Sequence, residues 1–203
     1  MNFVFQLAST TQSGSIIAGL VALVRFMYQN GGDFTKLIIE FFDPAIAIIS
    51  NQRTPSDLRL AVIIMTGKVF KTLWTRCATP PTKELFDAYT KLNVKTTDKS
   101  IRAAAYKALK NVIKVNPSNL FQFHNDLIKH LIKQLKEEKS NAVKVQVAAC
   151  FNVFIQHTMN FTNMHNSFDL LFQVCLKGFE ETDDMDVHRN YVLACSHLLN
   201  MRL

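Results

Sequence analysis

The chain is 203 residues long, 48% hydrophobic and 19% charged, with a formal net charge of +7. That is the make-up of one ordinary globular domain, and it excludes a disordered tail, a collagen-like polymer and a low-complexity segment. Six glycines and five prolines leave few turns for strands, whereas Leu, Ala, Lys, Ile and Met are plentiful, so the expectation is an all-α fold.

In chain order, Met1–Leu7 carries no positive charge and the apolar stretch Ile16–Val24 ends at Arg25. Neither a cleavable signal nor a span of roughly 18 to 20 apolar residues is therefore expected. The protein is read as soluble and cytoplasmic, or nuclear. Breaks at Gln29-Asn30-Gly31-Gly32, Arg53-Thr54-Pro55-Ser56, Ala78-Thr79-Pro80-Pro81, Asn116-Pro117-Ser118 and Glu181-Thr182-Asp183-Asp184 each combine a helix stop with a capping residue. They divide the chain into about nine helical stretches, and no segment shows the two-residue alternation of a half-buried strand. The cysteines Cys77, Cys150, Cys175 and Cys195 form no CxxC pair and read as reduced core thiols.

Sliding the sequence against itself exposes a repeat. Leu58-Arg59, Ile101-Arg102, Val143-Lys144 and Val187-His188 open four helices at separations of 43, 42 and 44 residues. Apolar or small residues follow at offsets four, seven and eight: Ala105, Ala108 and Leu109; Val147, Cys150 and Phe151; Tyr191, Ala194 and Cys195. Gly19, Ala22 and Leu23 stand at the matching offsets one period earlier, which makes five units. These offsets fall on one helical face, and small residues there let a neighbouring helix approach closely. Amphipathic partners precede the openings, at Lys83–Leu92, Leu120–Leu135 and Phe168–Phe179. A helix pair of this length hides its apolar faces only against the next pair, so residues 1–203 are expected to form a single α-α superhelix of about five helix pairs.

The phrase Asp98-x-x-Ile101-Arg102-x-x-Ala105-x-x-Ala108-Leu109 resembles the HEAT-repeat pattern, a HEAT/armadillo-like solenoid. The resemblance spans about residues 13 to 203, with His188 and Lys144 in the basic position of two units and Ser140 where an acid would stand. The order and spacing of Pro80-Pro81-Thr82-Lys83-Glu84-Leu85, Asp98-Lys99-Ser100-Ile101-Arg102 and Leu127-Ile128-Lys129-His130-Leu131 are similar to the C-terminal HEAT repeats of the general-control translational activators. That likeness implies a ribosome-associated scaffold that helps activate a kinase of translation initiation. Val174-Cys175-Leu176-Lys177-Gly178-Phe179-Glu180 resembles the accessory HEAT proteins of clathrin-adaptor coats equally well. Nucleic-acid-binding and tubulin-binding HEAT modules are further alternatives.

Residues 91 to 144 hold twelve basic side chains and four acidic ones, so the whole positive excess lies in the middle of the chain. On a helical wheel, Lys107, Lys110 and Lys114 fall opposite the face set by Ile101, Ala105, Ala108 and Val112. Lys129, Lys133 and Lys136 fall opposite Phe123, Leu127, Leu131 and Leu135. Both stripes are expected to face water from opposite layers, and these six lysines are the candidate partner-binding residues for a protein or, as a minor reading, nucleic acid. The aromatic interleaving on which single strands stack is missing. Solubilising an outer helix face is the plainer role for such lysines.

Arg102, four residues after Asp98, is expected in an intramolecular ion pair or in packing between repeats. The acidic run Glu180, Glu181, Asp183, Asp184 and Asp186 is expected to cap the last helix, with docking of a basic partner the sharper alternative. The six histidines show no zinc-ligand spacing, and no GxSxG or glycine-rich phosphate loop occurs, so no cofactor and no catalytic residue is expected. The phenylalanines read as core filling and Trp74 as half-buried packing. Recognition without chemistry is the function these features predict.

Overall fold

The structure is a computed structural model that describes residues 35–73, 81–92, 97–115, 118–158 and 162–201, with residues 22 and 29 in helix. The first expected unit around Gly19 and Leu23, and also Trp74, Cys77 and Lys95, lie outside the described residues. Eight α-helices are described: α1 (Thr35–Ser50), α2 (Ser56–Leu73), α3 (Thr82–Thr90), α4 (Lys99–Val115), α5 (His124–Glu137), α6 (Asn141–Thr158), α7 (Thr162–Glu180) and α8 (Met185–Asn200). A 3-10 turn, Ser118–Phe123, leads into α5. Among the described residues there is no strand.

The helix starts follow from local chemistry. Asp98 Oδ1 accepts the Ser100 amide at 2.7 Å and also the Ser100 hydroxyl, and so opens α4. Asp184 Oδ1 accepts the amides of Asp186 and Val187 at 3.0 and 3.2 Å and opens α8, so within the acidic run it is Asp184 that supplies the cap. Helix α1 carries Pro44 in its interior, where the ring forgoes one backbone hydrogen bond. Flanking Phe41, Phe42 and Ala45 are buried, which keeps that turn helical through packing.

The helices pack in a simple order. Each of α2, α4 and α6 lies against the next even-numbered helix, and each odd-numbered helix lies against the even-numbered one that follows it. Four helix pairs are thus described. The recurrent positions share burial: Val62, Ala105, Val147 and Tyr191 are buried at offset four, and Met65, Ala108, Cys150 and Ala194 at offset seven. Close approach comes from small residues. A Cβ added at Gly67 would lie 2.8 Å from Ala108 Cβ and 3.0 Å from its Cα, so α2 and α4 nearly touch through their backbones.

A second register appears at offsets five and twelve. Ile63 and Phe70 on α2, Tyr106 and Ile113 on α4, and Ala148 and Ile155 on α6 are all buried. The counterparts on α8, Val192 and Leu199, are 55% and 50% exposed. Helices α2, α4 and α6 each have a later even-numbered helix beside them, and α8 has none among the described residues. Most of the exposed large apolar side chains lie on the α7–α8 pair, Leu170, Leu176, Phe179 and Met185 among them.

Candidate functional site

The basic position beside each helix opening has four different fates. On α2, Arg59 is buried and its Nε donates to the Ile49 carbonyl at the end of α1, at 2.8 Å. On α4, Arg102 donates through Nε and Nη2 to both carboxylate oxygens of Glu138, at 3.1 and 3.0 Å, and through Nη1 to the Thr97 carbonyl. Its partner is therefore the residue that closes α5, 36 positions on; Asp98 is occupied as the helix cap. Burial alone would raise the Glu138 carboxyl, but hydrogen bonds from Arg102 and from the Ser140 amide outweigh it and hold the group below the ordinary carboxylate range. On α6, Lys144 is half-buried and lines a groove. On α8, His188 stacks on Phe179 with ring centroids 4.4 Å apart.

The lysine stripes separate on inspection. Lys129, Lys133 and Lys136 are exposed along α5, as the helical wheel requires, and Lys133 lies 3.9 Å from Glu137. Lys107 and Lys114 are exposed on α4. Lys110, expected in water, is half-buried, and desolvation lowers its pKa. The reason is geometric: α4 is flanked by α2 and α6 as well as by α3, so a wheel with one apolar face undercounts what is covered.

A groove of about 190 Å³ lies where α5 and α6 meet α7 and α8. Lys136, Lys144 and Lys177 border it, and Leu135, Leu170, Val174 and Tyr191 supply its apolar wall. Tyr191 lies so close to α7 that a Cβ at Gly178 would meet its ring at 2.2 Å. Burial pushes the Tyr191 phenol up to about 12, so it stays a neutral wall. Of the six candidate lysines only Lys136 reaches this groove.

A second feature escaped the sequence reading. Lys71, Lys114, His157 and His197 occupy the last turns of α2, α4, α6 and α8. Lys114 and His197 lower the His157 pKa after desolvation does, which puts the three side chains near one another. Their spacing of roughly one repeat was the available signal. Complementing the helix C-termini accounts for the two lysines.

Among the described residues no group of His, Cys, Asp and Glu could hold a metal ion, and no helix is long and apolar enough to cross a membrane. Cys150 and Cys175 are buried free thiols whose pKa burial raises. No protein-family model, curated protein or solved structure matches the chain.

Proposed function

We propose that the chain is a HEAT-type α-solenoid with a non-catalytic role, holding protein partners on the solvent faces of its helix pairs. One observation carries the reading: equivalent positions on α2, α4, α6 and α8 are buried at a period of 42 to 44 residues. That leaves the outer helices to present long polar flanks, with Lys129, Lys133 and Lys136 along one of them. Stacked helix pairs supply extended recognition surfaces and seldom a converging catalytic pocket. The likeness of the Pro80–Leu85, Asp98–Arg102 and Leu127–Leu131 phrases to the general-control activators gives the most specific form, a ribosome-associated regulator of translation. The accessory-coat form is its alternative. A shared phosphate-binding face is disfavoured because the two lysine stripes belong to helices of different layers and Lys110 is half-buried.

Affinity purification of the intact protein with quantitative mass spectrometry tests this, run beside a Lys129→Glu/Lys133→Glu variant. Ribosomal proteins and a kinase, reduced at least about fivefold with the variant, support the translational form; adaptor subunits redirect it to coats. A capture profile identical for both proteins overturns binding through α5. Affinity for nucleic acid that falls with salt at a log-log slope of several units moves the protein to the nucleic-acid class.

A further inference from the structure

Two consecutive junctions between helix pairs carry a basic residue and a glutamate in similar places, one residue apart in spacing, but are finished differently. Arg102 and Glu138 stand 36 residues apart, Lys144 and Glu181 stand 37 apart, and both glutamates follow the last turn of an outer helix. Their amides bond alike, Glu138 to the Gln134 carbonyl and Glu181 to the Lys177 carbonyl, each at 3.0 Å. The first carboxylate is inserted between the pairs, its side chain only 2% exposed, and the Arg102 fork closes on it. The second stays outside, 60% exposed and 3.5 Å from Lys177. Lys144 and Lys136 consequently have no carboxylate partner among the described residues, and the groove lies open beside them.

We propose that this groove is a binding site for an acidic, apolar-flanked segment of a partner protein. A carboxylate of the segment sits between Lys136 and Lys144, in the place that Glu138 fills one junction earlier. A neighbouring apolar side chain rests on Leu135, Leu170 and Val174. Size and charge select this occupant. The groove, about 190 Å³, is below the roughly 300–1,000 Å³ of small-molecule sites and suits one or two side chains. Three ammonium groups against the single carboxylate of Glu181 favour an anion, and the apolar wall favours a peptide over a bare phosphate. The inference rests on the protein-binding reading and assigns that reading a second surface, distinct from Lys129 and Lys133.

Selection of a random dodecapeptide phage library on the full chain tests it. The enriched sequences are expected to place Asp or Glu next to Leu, Ile or Phe. A fluorescein-labelled peptide of the enriched sequence should bind at least tenfold more weakly to Lys136→Glu/Lys144→Glu, and to Lys136→Met/Lys144→Met, which keeps the apolar stems and guards against misfolding. Replacing its Glu by Gln should weaken binding comparably, and Arg53→Glu, exposed in the connection between α1 and α2, should leave it unchanged. Enriched sequences without acidic residues, no enrichment, or equal binding to the groove variants overturn the proposal. So does displacement of the peptide by inorganic phosphate or oligothymidylate at matched concentration. The α5 capture experiment is read separately, so failure of the groove leaves it standing, and its own failure leaves the peptide result intact.

Discussion

The junction between the α3–α4 and α5–α6 pairs is shut by a buried ion pair, whereas the next junction along, between α5–α6 and α7–α8, is left ajar. The backbone around the two is alike: an odd-numbered helix ends, a three- or four-residue connection follows, and an even-numbered helix opens with a branched apolar residue and a base. Two side-chain choices separate them. Arginine presents a planar fork that meets both oxygens of a carboxylate, while the lysine ammonium is a compact, strongly hydrated point charge. A carboxylate taken out of water is stable only with such close partners, and Glu138 has Arg102 and the Ser140 amide while Glu181 has solvent and Lys177. Two side chains thus suffice to fill one junction and leave the next open while the helices around them stay alike.

The contrast can be broken most sharply at Glu138. Glu138→Ala leaves Arg102 buried beside an empty place and should cost about 3–5 kcal/mol in urea unfolding, whereas Glu181→Ala should stay within about 0.5 kcal/mol. Equal losses would mean that the two junctions are energetically the same. Next in size is Gly67→Ala. Its Cβ would meet Ala108 at 2.8 Å, Ala108 Cα included in the clash at 3.0 Å, so a loss of about 1–3 kcal/mol is expected.

Acid should reach the closed junction in two windows. Burial and then the Lys133 charge lower the His130 pKa from 6.5 to about 4, and its Nε2 hydrogen-bonds the Tyr106 hydroxyl at 2.8 Å. The unfolded chain then binds the extra proton first, so this contribution is present above about 6.5 and is lost as pH falls toward 4. Glu138, also lowered, contributes above its ordinary value of 4.5 and loses that contribution below it. Thermal melts from pH 7 to 3 should therefore show a decline beginning near 6.5. His130→Gln should shrink the upper part of the decline, with His157, whose pKa burial also lowers, supplying what remains, and should leave the lower part in place. A small stability effect, under about 1 kcal/mol, is expected of Lys144→Arg, which gives the open junction the closed one's fork. Its diagnostic effect is on binding: if the fork draws Glu181 inward, the selected peptide should lose affinity, and unchanged affinity would separate the groove from the Arg102 comparison.

What could be read from the amino acids tracks the range of the interactions. The faces carrying Ala105, Val147 and Tyr191 were legible because helical period and repeat period both mark them. Phe123, Leu127, Leu131 and Leu135 were legible as the buried stripe of α5 for the same reason, and all are buried. Arg102 was traced to ion pairing or packing between repeats, but its partner was not, since Glu138 lies 36 residues away and Asp98 offered a local match that capping had already used. Lys110 was placed in water because a wheel has no knowledge of α6. The groove was invisible for a stronger reason: its lysines come from α5, α6 and α7, and no single element contains it. The extended start of α7 at Thr162, six residues ahead of the expected Phe168, likewise lacked a periodic apolar signal.

The exposed flank of α8 repeats in the open a face that α2, α4 and α6 keep covered. Val192 and Leu199 hold toward solvent the positions at which Ala148 and Ile155 are buried on α6. A duplicate of one helical hairpin spliced in after α6 would find its docking site already prepared and would hand an identical one to its successor. On the solenoid reading, duplication alone would lengthen the stack, and the residues in the places of Lys144 and Glu181 would decide whether each added junction is filled or open.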